Sequence, residues 1–138
     1  MRAVLAVVLG GVVGTGLRIG LDELLPHHDD QFPWSTLIIN VVGSFALGLA
    51  VARAWPIAPM WLRAGLGAGL LGSFTTFSAF AVSLVTLTRA GEPLVALAYL
   101  LASVVAGLAA AAIGLRIGRR PTPAGPEPMR PEPIGPQE

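Results

Sequence analysis

The run Gly72-Ser73-Phe74-Thr75-Thr76-Phe77-Ser78-Ala79-Phe80 gathers four hydroxyl side chains and three phenylalanines in the middle of a long apolar segment. Hydrocarbon offers no hydrogen-bond partners, so polar groups or irregular backbone at that depth persist only when packed in protein or lining a cavity. The run therefore marks where the protein acts, and its chemistry suits the passage of something small and polar. Phe74, Phe77 and Phe80 are three apart and roughly share a helix face. Such a stripe usually contacts lipid or core, but a phenylalanine ring also has an electropositive edge. Rigid rings can therefore meet an anion edge-on without trapping it, as conduction requires. An interruption at Gly72 would free backbone carbonyls able to ligate a small cation; a kink for packing is the plainer reading.

Other polar residues repeat at helical spacing. Thr36, Asn40 and Ser44 are four apart on one face. The Asn40 amide can donate two hydrogen bonds to an anion, or it can tie two helices together; beside the Gly72–Phe80 run, pore lining is favoured. Tyr99 and Ser103 form a second stripe, with simple bonding to backbone as the alternative. Arg18 sits near the end of the first apolar segment, where structural anchoring is favoured over drawing anions toward a vestibule.

No acidic residue lies inside any apolar segment, whereas a proton-coupled transporter usually needs one. Nothing resembles a catalytic triad, a phosphate loop or a metal cluster, so no enzymatic activity is expected. A small coupled transporter for another solute and a non-conducting membrane assembly subunit remain as alternatives to passive conduction. There is no cysteine, which excludes disulfides and thiol chemistry. His27 and His28 adjoin Asp29 and Asp30, a pattern that reads as a solvated loop rather than a metal site. The net charge of +1 gives no reason to expect a nucleic-acid partner.

Of the 138 residues, 54% are hydrophobic and 12% charged, and the mean hydropathy is +0.71. Soluble domains carry roughly 25% charged residues, so this is a membrane protein of single-domain size. Four apolar segments run from about Ala3 to Leu21, Trp34 to Ala54, Trp61 to Leu87 and Pro93 to Ile117. Each approaches or exceeds the roughly 20 residues that cross a bilayer as a helix. The third is longer than needed, as for a helix broken near its middle, between Gly72 and Phe77. Continuous apolarity of this length excludes a barrel. The amino-terminal segment follows Arg2 but lacks a clear cleavage signal, and it reads as the first span rather than a signal peptide. Residues 1–120 thus form a four-helix transmembrane domain, and 121–138 a Pro-rich tail expected to be disordered.

Gly10/Gly14, Gly16/Gly20, Gly65/Gly69 and Gly114/Gly118 are each four apart, spacing that lets helix backbones approach closely. Oligomerisation is the expected use of these faces, beside packing within one bundle. Four spans put both termini on one side, with Arg2, Arg53, Arg63, Arg116, Arg119 and Arg120; Arg18 and Arg89 fall on the other. This arginine bias places the termini in the cytoplasm.

Three pieces together resemble the Fluc (CrcB) family of fluoride channels: Gly10-Gly11-x-x-Gly14-x-x-x-Arg18, Thr36-Leu37-x-x-Asn40-x-x-Gly43-Ser44-Phe45, and the Gly72–Phe80 run. The resemblance covers Arg2 to Arg120. It implies an all-α membrane protein working as an antiparallel, dual-topology-type dimer with two fluoride pathways in the cell membrane. Fluoride would pass the ring edges of Phe77 and Phe80, with Asn40, Ser78, Tyr99 and Ser103 lining the route. A structural sodium ion at the dimer centre would be held by backbone carbonyls of Gly72 and Thr75. Hydrogen fluoride that enters and dissociates would leave as the anion, lowering its toxicity. The family often has hydroxyls where this chain has Ala79 and Gly107, which puts the conduction rate in question. Ser35 and Thr15 also depart from its pattern. The arginine bias points further, to a fixed orientation and an oppositely oriented paralogue as partner in place of a second identical copy.

Overall fold

The computed structural model describes residues 1–26, 28 and 31–119. The expectations for His27, Asp29, Asp30, Arg120 and the tail 121–138 fall outside the described residues.

The described residues form helices and connecting turns, without strands. Helix α1 is Arg2–Leu24. Helix α2, Trp34–Leu49, continues through the π-helical turns of Ala50–Ala54. The third span is composite: α3, Met60–Ala64; wide π-helical turns, Gly65–Leu71; a closing turn, α4, Gly72–Phe74; and α5, Phe77–Arg89. Helix α6 is Pro93–Gly118. Arg2–Leu24, Trp34–Ala54, Met60–Arg89 and Pro93–Gly118 are each long and apolar enough to cross a membrane, which makes this a multi-pass membrane protein. Their ends fall within three residues of the hydropathy boundaries.

Local chemistry sets the ends. Thr76 caps α5, its hydroxyl accepting from the Ala79 N–H at 3.1 Å. After α5 the chain reverses at Gly91, φ +84°, in the left-handed region that glycine enters freely. The Glu92 N–H returns to the Leu87 carbonyl and that of Gly91 to Thr88, closing a Schellman turn. Pro93 then opens α6 in the first turn, where its missing N–H leaves no gap.

Packing follows the small residues. Helix α1 lies along the first half of the third span, and α2 along α6. A Cβ on Gly14 would overlap the Leu70 carbonyl, and one on Gly48 the Ala111 carbonyl. Backbone therefore touches backbone at both seams. Gly10, Gly65, Gly69, Gly114 and Gly118 serve the same contacts. Their sequence spacing suggested oligomerisation beside packing within one bundle, and these contacts show the packing within the subunit. Gly16 and Gly20 have nothing within 4 Å.

Most of α1 points outward, with Val4, Val8, Val12 and Leu17 all exposed. Hydrocarbon covers such a surface where water would not. Trp34 and Trp61, both exposed, stand at the starts of the second and third spans, where indoles favour the membrane interface. The buried cluster Leu87, Ala96 and Tyr99, flanked by Phe32, Leu37 and Phe80, holds α5 and α6 against the start of α2.

Candidate functional site

Thr75 and Thr76 join α4 to α5 in extended backbone, with ψ 154° at Thr75 and φ −148°, ψ 116° at Thr76. Extended residues at the middle of a span leave peptide groups without helical partners. Asn40 on α2 answers this. Its Oδ1 accepts the Thr76 N–H at 2.9 Å and its Nδ2 donates to the Thr76 carbonyl at 3.1 Å. One side-chain amide thus bonds both main-chain polar groups of the buried residue Thr76.

Two carbonyls are released as a result. The Thr76 N–H would close the helical bond to the Gly72 carbonyl but goes to Asn40. The Ala79 N–H would reach the Thr75 carbonyl but goes to Thr76 Oγ1. Gly72 and Thr75 also line the same cavity. Carbonyls freed in this way suit a small hard cation. The Leu71 carbonyl is differently placed, accepting from both the Thr75 N–H (3.0 Å) and the Thr75 hydroxyl (2.8 Å).

The cavity holds about 850 Å³ between α2, α6 and the third span. Its wall includes Asn40 and Ser44 from α2, Thr75, Thr76, Phe77 and Phe80 from the third span, and Ser103 from α6. The Phe77 and Phe80 rings lie 5.8 Å apart at 42°, and Phe77 is 79% exposed. Phe80 rests on Tyr99 at 5.4 Å, and Tyr99 meets Phe32 edge-on at 5.4 Å. Four rings therefore run from the cavity toward the start of α2, each fixing the next.

The remaining candidate residues are placed differently. Tyr99 is fully buried behind Phe80, and its hydroxyl has no hydrogen-bond partner. Ser103 Oγ is likewise buried and unpartnered. Ser78 is exposed beside the cavity, its hydroxyl 3.1 Å from that of Thr76. Arg18 is half-buried on α1, outside the cavity wall. Arg63 lines the cavity with its Nε donating to the Ala58 carbonyl at 2.8 Å. Sequence reasoning had counted Arg63 only toward orientation. It also passed over Thr76, whose Ser/Thr type ahead of an apolar helix is an ordinary cap signal.

Residues 5–115 match the family described as "CrcB-like protein, Camphor Resistance (CrcB)". A protein of Paracoccus denitrificans named fluoride-specific ion channel FluC is 44% identical over 83% of this chain and 93% of its own length. One of the same name from a Chelativorans species is 41% identical over 86% of this chain and 98% of its own. The FluC 1 protein of Streptomyces avermitilis is 42% identical over 80% and 91% respectively.

Asn40→Ala strands the buried Thr76 N–H, whereas the Thr76 carbonyl, at the N-cap of α5, keeps the first helical bond. The expected loss is about 1–3 kcal/mol, for one unsatisfied group. Thermal unfolding in detergent should show a lower midpoint for Asn40→Ala than for Ser44→Ala. Equal midpoints would mean that the clamp carries no weight.

Proposed function

Because this chain belongs to the CrcB family, we propose that it is a passive, fluoride-selective channel of the cell membrane, exporting cytoplasmic fluoride and lowering its toxicity. The observation that carries this reading is that relatives named fluoride-specific ion channels match over nearly their whole length.

The cavity supports it physically. Fluoride is small and strongly hydrated, so a pathway must replace its water with donors yet release it again. The residues of the cavity wall include neutral donors and aromatic rings: Ser103, whose hydroxyl is buried and unpaired, Asn40 with a second N–H, and Phe77 and Phe80. Ser78 stands at its margin, and Tyr99 behind Phe80 presents an unpartnered hydroxyl. None of these carries a charge; the cation of the wall is Arg63, whose Nε is bonded to the Ala58 carbonyl.

The working unit in this reading is an antiparallel dimer. A second subunit would cover the exposed Phe77 ring, which lines the cavity among polar residues rather than standing on a wholly apolar face such as that of α1. That subunit is either an identical copy or an oppositely oriented paralogue. A structural sodium ion fits the released Gly72 and Thr75 carbonyls; when bound, it would supply fixed positive charge beside the break in the third span. Arg2, Arg53, Arg63, Arg116, Arg119 and Arg120 on one side, against Arg18 and Arg89, argue for cytoplasmic termini and a fixed orientation.

Purified chain in liposomes should release fluoride rapidly when valinomycin carries the countercurrent, and retain chloride. Phe77→Ile should slow the release at least about tenfold, the size of one lost ion contact. Efflux that is electrically silent or unaffected by Phe77→Ile would sink the channel reading. If the folded chain is inactive alone, activity should appear on adding an oppositely oriented paralogue.

Replacing sodium by N-methylglucamine should lower the thermal midpoint of the detergent-solubilised protein, with sodium restoring it in a saturable way. A midpoint indifferent to sodium would remove the ion from the reading. Tags on the two termini should be reached by impermeant reagents only from the cytoplasmic side. Equal labelling from both sides would instead indicate insertion in both orientations.

A further inference from the structure

Reading α6 one turn at a time along one face gives Tyr99, Ser103, Gly107. The first two present hydroxyls that are buried and lack hydrogen-bond partners. The third presents nothing. Gly107 also differs from the other α6 glycines. A Cβ at Gly114 would overlap the Phe45 carbonyl and one at Gly118 would crowd Ala52, so those positions are set by packing. A Cβ at Gly107 would meet only Ser44 Oγ, at an ordinary 3.7 Å. Packing therefore does not demand glycine there. Its bareness leaves a space on α6, and the group filling that space from across the seam is a hydroxyl. Ser44 and Ser103 both line the cavity, and α2 packs along α6.

We propose that Ser44 supplies from α2 the hydroxyl that α6 lacks at Gly107, so that Ser103 and Ser44 form two successive donors for the permeating anion in the α2–α6 seam. The steps are about one helical turn apart, roughly 5–6 Å, short enough for a small anion to be passed between them. Each hydroxyl has a single O–H to offer. The buried Ser103 Oγ makes no hydrogen bond, with the Tyr99 hydroxyl as a near neighbour, so its O–H is free to turn toward an ion or water. The inference rests on the channel reading and adds a binding residue to it.

The decisive experiment swaps the hydroxyl between helices. Fluoride efflux from liposomes is compared for the wild type, Ser44→Ala, Ser44→Ala with Gly107→Ser, and Ser44→Ala with Gly107→Ala. Ser44→Ala should slow efflux roughly tenfold, as expected for one hydrogen bond to an ion. Adding Gly107→Ser should restore most of the rate, and adding Gly107→Ala should not. Unchanged efflux in Ser44→Ala overturns the proposal. So does equal behaviour of the two double variants, which would indicate packing rather than donation. If Ser44→Ala does not elute from gel filtration as the wild type does, Ser44→Cys takes its place, keeping the shape with a weak donor. A wild type without fluoride efflux instead brings down the channel reading, and this proposal with it.

Discussion

Asn40 reaches from α2 to take both the N–H and the carbonyl of Thr76, and the geometry of the third span rests on that pair of bonds. A helix crossing hydrocarbon satisfies its own backbone, and any interruption strands polar groups where water cannot reach them. Thr75 and Thr76 are extended at that depth, an arrangement costly without compensation. The Asn40 amide matches a peptide group in shape and polarity, and it acts as the neighbour Thr76 would otherwise lack. The Thr76 hydroxyl then caps α5. Together the two side chains divert the amides that would have bonded to the Gly72 and Thr75 carbonyls. The polar centre of this protein is thus made largely of main chain exposed by side-chain substitution.

That arrangement depends on how closely the helices pack elsewhere. The α1 seam with the third span and the α2–α6 seam are both backbone-to-backbone contacts, permitted by glycine. Hydrophobic collapse cannot drive helices together in lipid, so close van der Waals contact has to. The same tight seams leave α2 and the third span apart on their remaining side, where the cavity opens. Gly43 joins the two regions: a Cβ there would collide with the Thr75 side chain, so the glycine lets the extended segment approach α2.

The aromatic rings set what the cavity presents. Phe80 is held by Tyr99, and Tyr99 by Phe32, while Phe77 projects outward. Phe80 is thereby supported from behind, and both Phe77 and Phe80 line the cavity. Held neutral groups of this kind interact weakly with an anion, which favours movement over retention.

Composition and hydropathy by themselves determined the four spans, their approximate ends and the helical class, because twenty apolar residues admit few other structures in a membrane. The density of hydroxyls and rings from Gly72 to Phe80 located the polar centre for the same reason. Several assignments needed the tertiary structure. Gly16 and Gly20 have the same spacing as Gly10 and Gly14, yet only the latter meet another helix. Spacing defines a face and says nothing of what lies opposite. Beside the Gly72–Phe80 run Asn40 reads as pore lining, though taken alone it reads equally well as a donor to an ion or as a tie between helices. Its partner lies 36 residues away, a contact that no local pattern encodes. Ser44 and Gly107 are 63 positions apart in the sequence (107 − 44), and each alone is unremarkable. Sequence set which groups could bond in hydrocarbon; the packing of α2 against α6 and the third span decided which of them meet.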